Sequence, residues 1–450
     1  MMSSGRIAQV LIGVAAAVGL GISLVKAPWV YALVVPTVIS LGILWAVLRW
    51  TATNEAADRD VLRWTYASYI LHLGLSLAIG ASGQTVRFFG GDANTYHLDS
   101  LALARHWTDG TPKPKLPPGK EGFFYALARL YELIGPHRVG GLALTSLCSA
   151  LVVPLVADTA RRLFGPRARL SILPLVVLLP GFVVWTSQLL REAPILASLA
   201  LGANLAVRLS ERVTMGRLAM LGLTVACLFT LRGNIGYVFG AGLLVGLALG
   251  GRHLLGGLTT ALAMFAMVAA LIFGVGLGES GYETSATADL SKVNDVRSDL
   301  ATSDSGVGRG ADVSTASGSL AYLPLGLPQF LLGPFPWQAR NLRQALGVLD
   351  AATVWWLVPS LVRGLRLAWR RTRRRVGLLL IPSAGITLVL TLLIGNVGTL
   401  VRERLQVLVL LLPFIALGRL SAEPDDKELP DELDDDAPAP AIEQRPAPAI

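Results

Sequence analysis

The sequence predicts an all-α polytopic membrane protein with about twelve transmembrane helices, a helical first outer loop and a long second outer loop. Three observations predict it. Of the 450 residues, 53% are hydrophobic and 15% charged, with a mean hydropathy of +0.57. An ordinary soluble domain carries about 25% charged residues. The apolar residues fall in long runs, and runs of about 20 can cross a bilayer as helices. Lys and Arg concentrate in the short breaks between runs, as in "WRRTRRR" (369–375) and "ARRLFGPRAR" (160–169).

Taken in order, the spans fall at 7–25, 29–48, 64–83, 139–159, 170–185, 193–209, 218–231, 235–249, 254–277, 346–367, 377–394 and 405–417. The first follows Arg6 and resembles a signal peptide. Its apolar run is long and no small-residue cleavage site follows, so it reads as an uncleaved span, with a signal peptide as the alternative. Several runs are short, which tilt or local thinning accommodates. Counting outward from either basic cluster puts both termini in the cytoplasm. The chain then divides into five parts. Residues 1–63 hold two spans and a cytoplasmic loop. Residues 64–277 form a transmembrane core with the first outer loop, 84–138. Residues 278–345 are the second outer loop, and 346–420 the last spans. Residues 421–450 form an acidic, disordered cytoplasmic tail.

The tail holds ten acids against two bases, a net −8, so the overall +9 conceals a body of +17. Because the bases sit in juxtamembrane clusters, they suit anionic lipid headgroups rather than nucleic acid. Cys148 and Cys227 both lie within apolar runs, so no disulfide framework is implied, and no zinc-type spacing occurs.

Polar chemistry gathers in the first outer loop. "FFGGDANTYHLDSLALARHW" (88–107) reads as a helix from about Asp92. Asp92 and Asp99, seven residues apart, then share a face about two turns long, with Tyr96 between them and His97 beside it. Asp92 after Gly-Gly is also a good helix cap, and Asp99 has a merely solvated alternative. "TDGTPKPKLPPGK" (108–120) is a turn region, and "EGFFYALARLYELIG" (121–135) an amphipathic interfacial helix. In the second outer loop, 278–320 is polar and reads as mobile. Residues 321–344 are apolar and aromatic, Trp337 included. Their prolines read as too disruptive for a span and suggest a re-entrant or surface-hugging segment.

"WTSQLLREAPIL" (185–196) puts Arg191 and Glu192 at an outer rim. "LFTLRGNIGYVF" (228–239) puts Arg232 there, and "IGNVGTLVRERLQVLVLLLPF" (394–414) puts Arg402 and Arg404 there with Glu403 between them. The positive-inside rule disfavours arginines on that side. A phosphate is one natural partner, since guanidinium binds its oxygens bidentately. A local ion pair or snorkelling to a lipid phosphate is the alternative for each.

These stretches, in order, resemble the GT-C superfamily of integral-membrane glycosyltransferases. The resemblance points to the bacterial branch related to protein mannosyltransferases and lipid A aminoarabinose transferases. It rests on "GGDANTYHLDSLALARHW", "KLPPGKEGFFYALARLYELIG", "WTSQLLREAP" and "RERLQVLVLLLPFIALG", and covers most of 64–420. Each motif alone is loose; their order carries the likeness. "LPQFLLGPFPW" is also similar to a segment of polysaccharide-assembly proteins. The resemblance implies a polyprenyl-phosphate sugar donor and an envelope glycan, lipid or protein acceptor. It implies an inverting transfer on the outer face of a bacterial plasma membrane. Asp92 matches the first acid of the family's first outer loop, as base or acceptor-orienting group. The family often has a second acid beside it, but here the neighbour is Ala93, which argues against a paired-acid or metal-assisted mechanism. Asp99 and Glu192 are candidates for a second carboxylate. Arg191, Arg232, Arg402 and Arg404 are candidates for the donor phosphate, and Tyr96, His97 and Trp337 for substrate contact. No cofactor is named by the sequence, and a divalent metal carries no signature in it.

Three other readings stay open. A polysaccharide polymerase would share the outer arginines but take an oligosaccharide diphosphate. A lipid-linked sugar flippase or transporter would place its ionisable residues near mid-membrane, where these spans hold few. A scaffold acting through the tail leaves the Asp92 loop unexplained.

Overall fold

A computed structural model describes residues 28–53, 56–81, 91–117, 119–250, 259, 289–302, 305–339, 342–371 and 373–421. The expected spans 7–25 and 254–277, and the tail beyond 421, lie outside them. Among the described residues the chain is helical, with one isolated bridge, Gly306 to Asn396, and no strand. The helices are α1 (Pro28–Thr51), α2 (Ala57–Ala81), α3 (Asp92–Asp109), α4 (Glu121–Ile134) and α5 (Arg138–Phe164). Three short ones follow: α6 (Pro166–Ser171), α7 (Leu173–Leu178) and α8 (Pro180–Thr186). Then come α9 (Glu192–Glu211), α10 (Met215–Leu231), α11 (Gly233–Gly250), α12 (Leu290–Thr302) and α13 (Ala316–Leu332). The last are α14 (Leu342–Arg371), α15 (Arg373–Leu393) and α16 (Val397–Leu420).

Five described helices are long and apolar enough to cross a membrane: α1, α5, α9, α14 and α15. A sixth span forms if α6–α7 and α8, bent by 55°, count as one. The bend has a local cause. Pro180 disfavours helical geometry at the residue before it, and Leu179 is extended at φ −60°, ψ 119°. The outer surfaces of the helices carry bare apolar side chains, among them Ile70, Leu223, Leu349 and Trp356. Water would make such a surface a liability, whereas lipid matches it. This chain is therefore a helical membrane protein.

Burial separates core helices from peripheral ones. The apolar stretch of α5 is 78% buried, that of α1 only 22%. Among the most enclosed helices is α16, with 18 of its 24 residues buried, the same fraction as the 15 of 20 in α9. Arg402, Glu403 and Arg404 stand in the early turns of α16. It runs parallel to α14 at a fixed offset: Gly347 faces Val401, Asp350 faces Arg404, and Gly364 faces Gly418. A Cβ on Gly418 would collide with the Ser360 carbonyl oxygen, so the two backbones touch there. On the other side α11 and α15 pack antiparallel, Gly242 against Pro382 and Gly246 against Leu378.

The bundle has two unlike ends. At the basic end, Asp158 is fully buried and accepts from Arg161, Arg162, Arg208 and Asn204. Arg208 also lies 3.9 Å over the Trp50 ring, and Arg169 pairs with Asp58. At the other, the loop end, α3 and α4 form a hairpin. Tyr96 sits between Phe123 and Phe124, with ring centroids 5.0 and 4.9 Å away. The second loop is pinned there too: Val307 N–H donates to Gly395 O, and Val397 N–H to Ser305 O.

Two parts of that loop differ from expectation. The described portion of its polar half is not featureless, since α12 packs on α15 and Arg297 donates to the Ala311 and Gly308 carbonyls. In its apolar half α13 is a continuous helix that contains Pro324 and Pro328. Each proline there removes a single backbone donor, and the helix persists around them.

The Gly364–Gly418 contact gives a test. Gly418→Val forces α14 and α16 apart and is expected to cost about 1–3 kcal/mol. Thermal unfolding in detergent should show a lower midpoint, while Gly216→Ala, with nothing within 4 Å, leaves it unchanged or raised.

Candidate active site at the loop end

The site begins with three consecutive charges on one helix. Residues of an α-helix project about 100° apart, so Arg402, Glu403 and Arg404 point in three directions. Each meets a different wall. Arg402 Nη1 lies 2.9 Å from Asp92 Oδ2, and its Nε 3.0 Å from Glu192 Oε1. Glu403 pairs with Arg232 at 2.5 Å. Arg404 pairs with Asp350 at 2.5 Å and donates to the Gly333 carbonyl. Asp350 also accepts from the Gly181 amide at 2.7 Å. A side chain at Gly181 would collide with that carboxylate.

The Asp92–Arg402–Glu192 chain grades inward. Side-chain exposure falls from 62% at Asp92 to 18% at Arg402 and 3% at Glu192. One carboxylate thus faces outward while the other lies within the bundle. Asp92 is the first residue of α3, and the residue before it, Gly91, takes the cap position with no side-chain cap bond. The capping expectation for Asp92 is therefore corrected: its carboxylate turns to Arg402. Burial pushes the Asp92 carboxyl up. The charge and hydrogen bond of Arg402, with the charges of Lys120 and Arg191, outweigh that and hold it below the usual carboxylate range.

Asp99 is partly exposed and stands outside this chain. The buried stripe of α3 runs through Ala93, Tyr96, Ser100, Leu103 and Ala104. Asp92 and Asp99 both flank that stripe, as their spacing implies, but only Asp92 reaches Arg402. Arg191 and Glu192 were expected at a rim. Instead, the whole segment from Ser187 to Glu192 is buried, because the broken α6–α8 span delivers it into the bundle. Ser76 Oγ donates to the Ser187 carbonyl at 2.5 Å. Arg191 donates to the Leu231 carbonyl at 2.9 Å. Such irregular backbone is tolerated at membrane depth where protein encloses it.

Of the expected substrate contacts, Tyr96 lies in the hairpin core, and burial pushes its hydroxyl up to about 12. His97 Nδ1 is 2.9 Å from the Tyr131 hydroxyl. Burial, and then the charge of Arg138, lower the His97 pKa. Trp337 is 77% exposed and stacks on Phe335, with centroids 4.8 Å apart. Asp350 and Arg138 escaped the sequence reading. The signal for Asp350 was present: a lone acid within the apolar run "GVLDAATVWWLV".

Several buried polar atoms here have no hydrogen-bond partner among the described residues. They include Glu192 Oε2, Glu403 Oε2, Ser187 Oγ, Gln188 Oε1, both amide atoms of Gln406, and the Nε atoms of Arg402 and Arg404. Buried polar atoms are rarely left unpaired in a purely structural role. No group of three His, Cys, Asp or Glu side chains converges as a metal site among the described residues. Comparison with protein-family models finds no match, and comparison with curated proteins finds none either.

Two measurements follow. Asp350→Asn leaves Arg404 buried without a counter-charge and is expected to cost about 3–5 kcal/mol. The double variant Asp350→Leu with Arg404→Met should recover most of that in the melting midpoint. His97 titrates near 6.5 when unfolded and lower when folded. Between those values the unfolded chain holds the extra proton, so stability is full above 6.5 and declines as pH falls. His97→Gln should therefore shrink the drop in midpoint between about pH 7.5 and 5.5. An equal drop in both proteins removes His97 from this account.

Proposed function

We propose that this chain is a membrane glycosyltransferase that moves a sugar from a polyprenyl-phosphate donor to a cell-envelope acceptor. The observation that carries the reading is Arg402 held between Asp92 and Glu192 at the loop end. An ionised, partly exposed carboxylate and a fixed cation are side by side there, next to the membrane. Glycosyl transfer needs both groups. A base takes the proton from the acceptor hydroxyl as its oxygen attacks the anomeric carbon. The bond to the lipid phosphate breaks, and the departing phosphate gains charge that a fixed cation stabilises. Asp92 takes the first role and Arg402 the second, with Arg191 adding positive charge nearby.

The ion pair has a consequence for the base. While Arg402 is bound to Asp92, the carboxylate has low proton affinity and is a weak base. A donor phosphate competes for the guanidinium. As Arg402 turns to it, the proton affinity of Asp92 rises toward what the reaction needs. Glu192 keeps Arg402 in place through the exchange. Arg232 and Arg404, each paired with a carboxylate inside the bundle, serve as supports that fix α16. Trp337 offers an exposed aromatic face for a sugar or a headgroup.

The loop end is then the outer face of a bacterial plasma membrane. The arginine-rich end faces the cytoplasm, as the positive-inside rule asks, with both termini on that side. The twelve-span topology belongs to this proposal.

Labelled polyprenyl-phosphate sugars incubated with wild type and Asp92→Asn provide the test. Loss of the base is expected to lower turnover roughly 10²–10⁴-fold while the protein stays folded. A folded variant with undiminished transfer would sink the assignment. Turnover only with oligosaccharide diphosphates would favour a polymerase instead.

A further inference from the structure

The basic end of the bundle carries an arginine cluster whose counter-charge does not come from the described residues. Six of the ten residues 366–375 are arginines. Arg366, Arg370 and Arg371 belong to α14, and Arg373 and Arg375 to the start of α15. Arg366, Arg370 and Arg373 are exposed, while Arg371 and Arg375 are half-buried. None of these five makes an ion pair among the described residues. The acids of that end are engaged elsewhere: Asp58, Asp60, Asp158 and Glu211 pair with other arginines.

Helix register determines which part of the chain meets this cluster. The parallel helices α14 and α16 keep a constant offset of 54 residues through Gly347–Val401, Asp350–Arg404 and Gly364–Gly418. Positions 350, 357, 364 and 371 are seven apart, so they share the face of α14 that meets α16. Arg371 continues that face past the end of α16 at Leu420. In the same register Arg371 stands level with Asp425, four residues beyond Ser421. Four residues of chain reach at most about 14 Å. From Leu367, the counterpart of Ser421, α14 rises only about 6 Å to Arg371. Asp425 and Asp426 therefore leave α16 within reach of Arg371.

The sequence that follows is acidic to match. Residues 423–436 hold nine acids against the single base Lys427. Topology accounts for the arginines but not for these acids, since Asp and Glu contribute little to orientation. Anionic lipid is the other anion available to the cluster. Lipid meets the outward side of α14, where Trp356 and Val362 are exposed, whereas Arg371 prolongs the side that α16 covers. A single exposed ion pair is weak. A segment tethered at Ser421 presents several at high effective concentration.

We propose that the acidic segment 423–436 docks on the arginine cluster of its own chain and occupies it in place of anionic lipid. Asp425 and Asp426 anchor the segment at Arg371, and its remaining acids neutralise the exposed arginines around that point. The contact ties the ends of α14 and α16 to the start of α15. It is independent of the transferase reading, because no residue of the loop end takes part.

The mobility of a spin label at Leu429→Cys tests it, in the full chain with Cys148 and Cys227 replaced by Ala. In neutral-lipid nanodiscs that each hold one chain, the low-salt spectrum should contain a slow component. Raising the salt from about 0.01 to 1 M shortens the screening length from about 30 to 3 Å and should remove that component. The double variant Arg370→Gln with Arg371→Gln should remove it at low salt. Asp425→Asn with Asp426→Asn should do the same while leaving the cluster, and with it the topology signal, intact. Arg59→Gln, exposed at the same end on α2, should leave the spectrum unchanged. The proposal is overturned if the label moves freely at low salt, or if the slow component survives both double variants. Equal release by Arg59→Gln overturns it as well, since net charge alone is then responsible. Release in phosphatidylglycerol nanodiscs at low salt overturns it too, because lipid is then the occupant.

Discussion

Three adjacent charges at the start of a buried helix must each find a counter-charge, and the loop end is organised around that requirement. Arg402, Glu403 and Arg404 cannot share a partner because the helix turns them apart. The hairpin helix α3 and the head of α9 therefore converge on Arg402. The end of α10 supplies Arg232 to Glu403, and α14 supplies Asp350 to Arg404. Buried ion pairs are poor sources of net stability, but breaking one is expensive. Their contribution here is positional: they fix where five elements meet. The same geometry stacks Gly364 on Gly418 farther along, where apolar packing takes over.

The two ends of the bundle solve the same electrostatic problem differently. At the basic end Asp158 is saturated, with three arginines and Asn204 on its two oxygens. That arrangement has no spare valence and reads as a structural knot. At the loop end Glu192, Glu403, Gln188, Ser187 and Gln406 each keep at least one buried atom without a hydrogen-bond partner among the described residues. A satisfied network rigidifies, whereas a partly satisfied one leaves hydrogen-bonding capacity for a substrate. The contrast is one of degree, since Arg169 Nε at the basic end is also a buried atom without a hydrogen-bond partner among the described residues.

Much of this was legible in the sequence because lipid imposes a coarse rule that composition exposes. Helix identity, the basic clusters and the prominence of Asp92, Glu192 and Arg402 all follow from runs and their interruptions. What the sequence hid was pairing. Nothing in "WTSQLLREAP" shows that it turns inward, since that depends on a 55° break set by Pro180 some residues earlier. Arg404 binds the Gly333 carbonyl, and a backbone acceptor leaves no mark in residue identity. Asp350 was hidden by distance along the chain, although its lone charge marked it. The prolines of α13 lie inside a continuous helix, since a proline removes one donor and need not end a helix, and that helix is not one of those long and apolar enough to cross a membrane.

The hub on α16 also bears on how the chain is built. Synthesis runs from the N-terminus, and α16 is the last described helix to emerge. Asp92, Glu192, Arg232 and Asp350 are all made before it. Until then each of them lacks its partner on α16, and the triplet itself cannot be buried without them. Insertion of α16 therefore closes the electrostatics of elements made up to hundreds of residues earlier. A ribosome stalled before residue 402 would leave a bundle whose loop end is unfinished, however well its earlier spans are inserted.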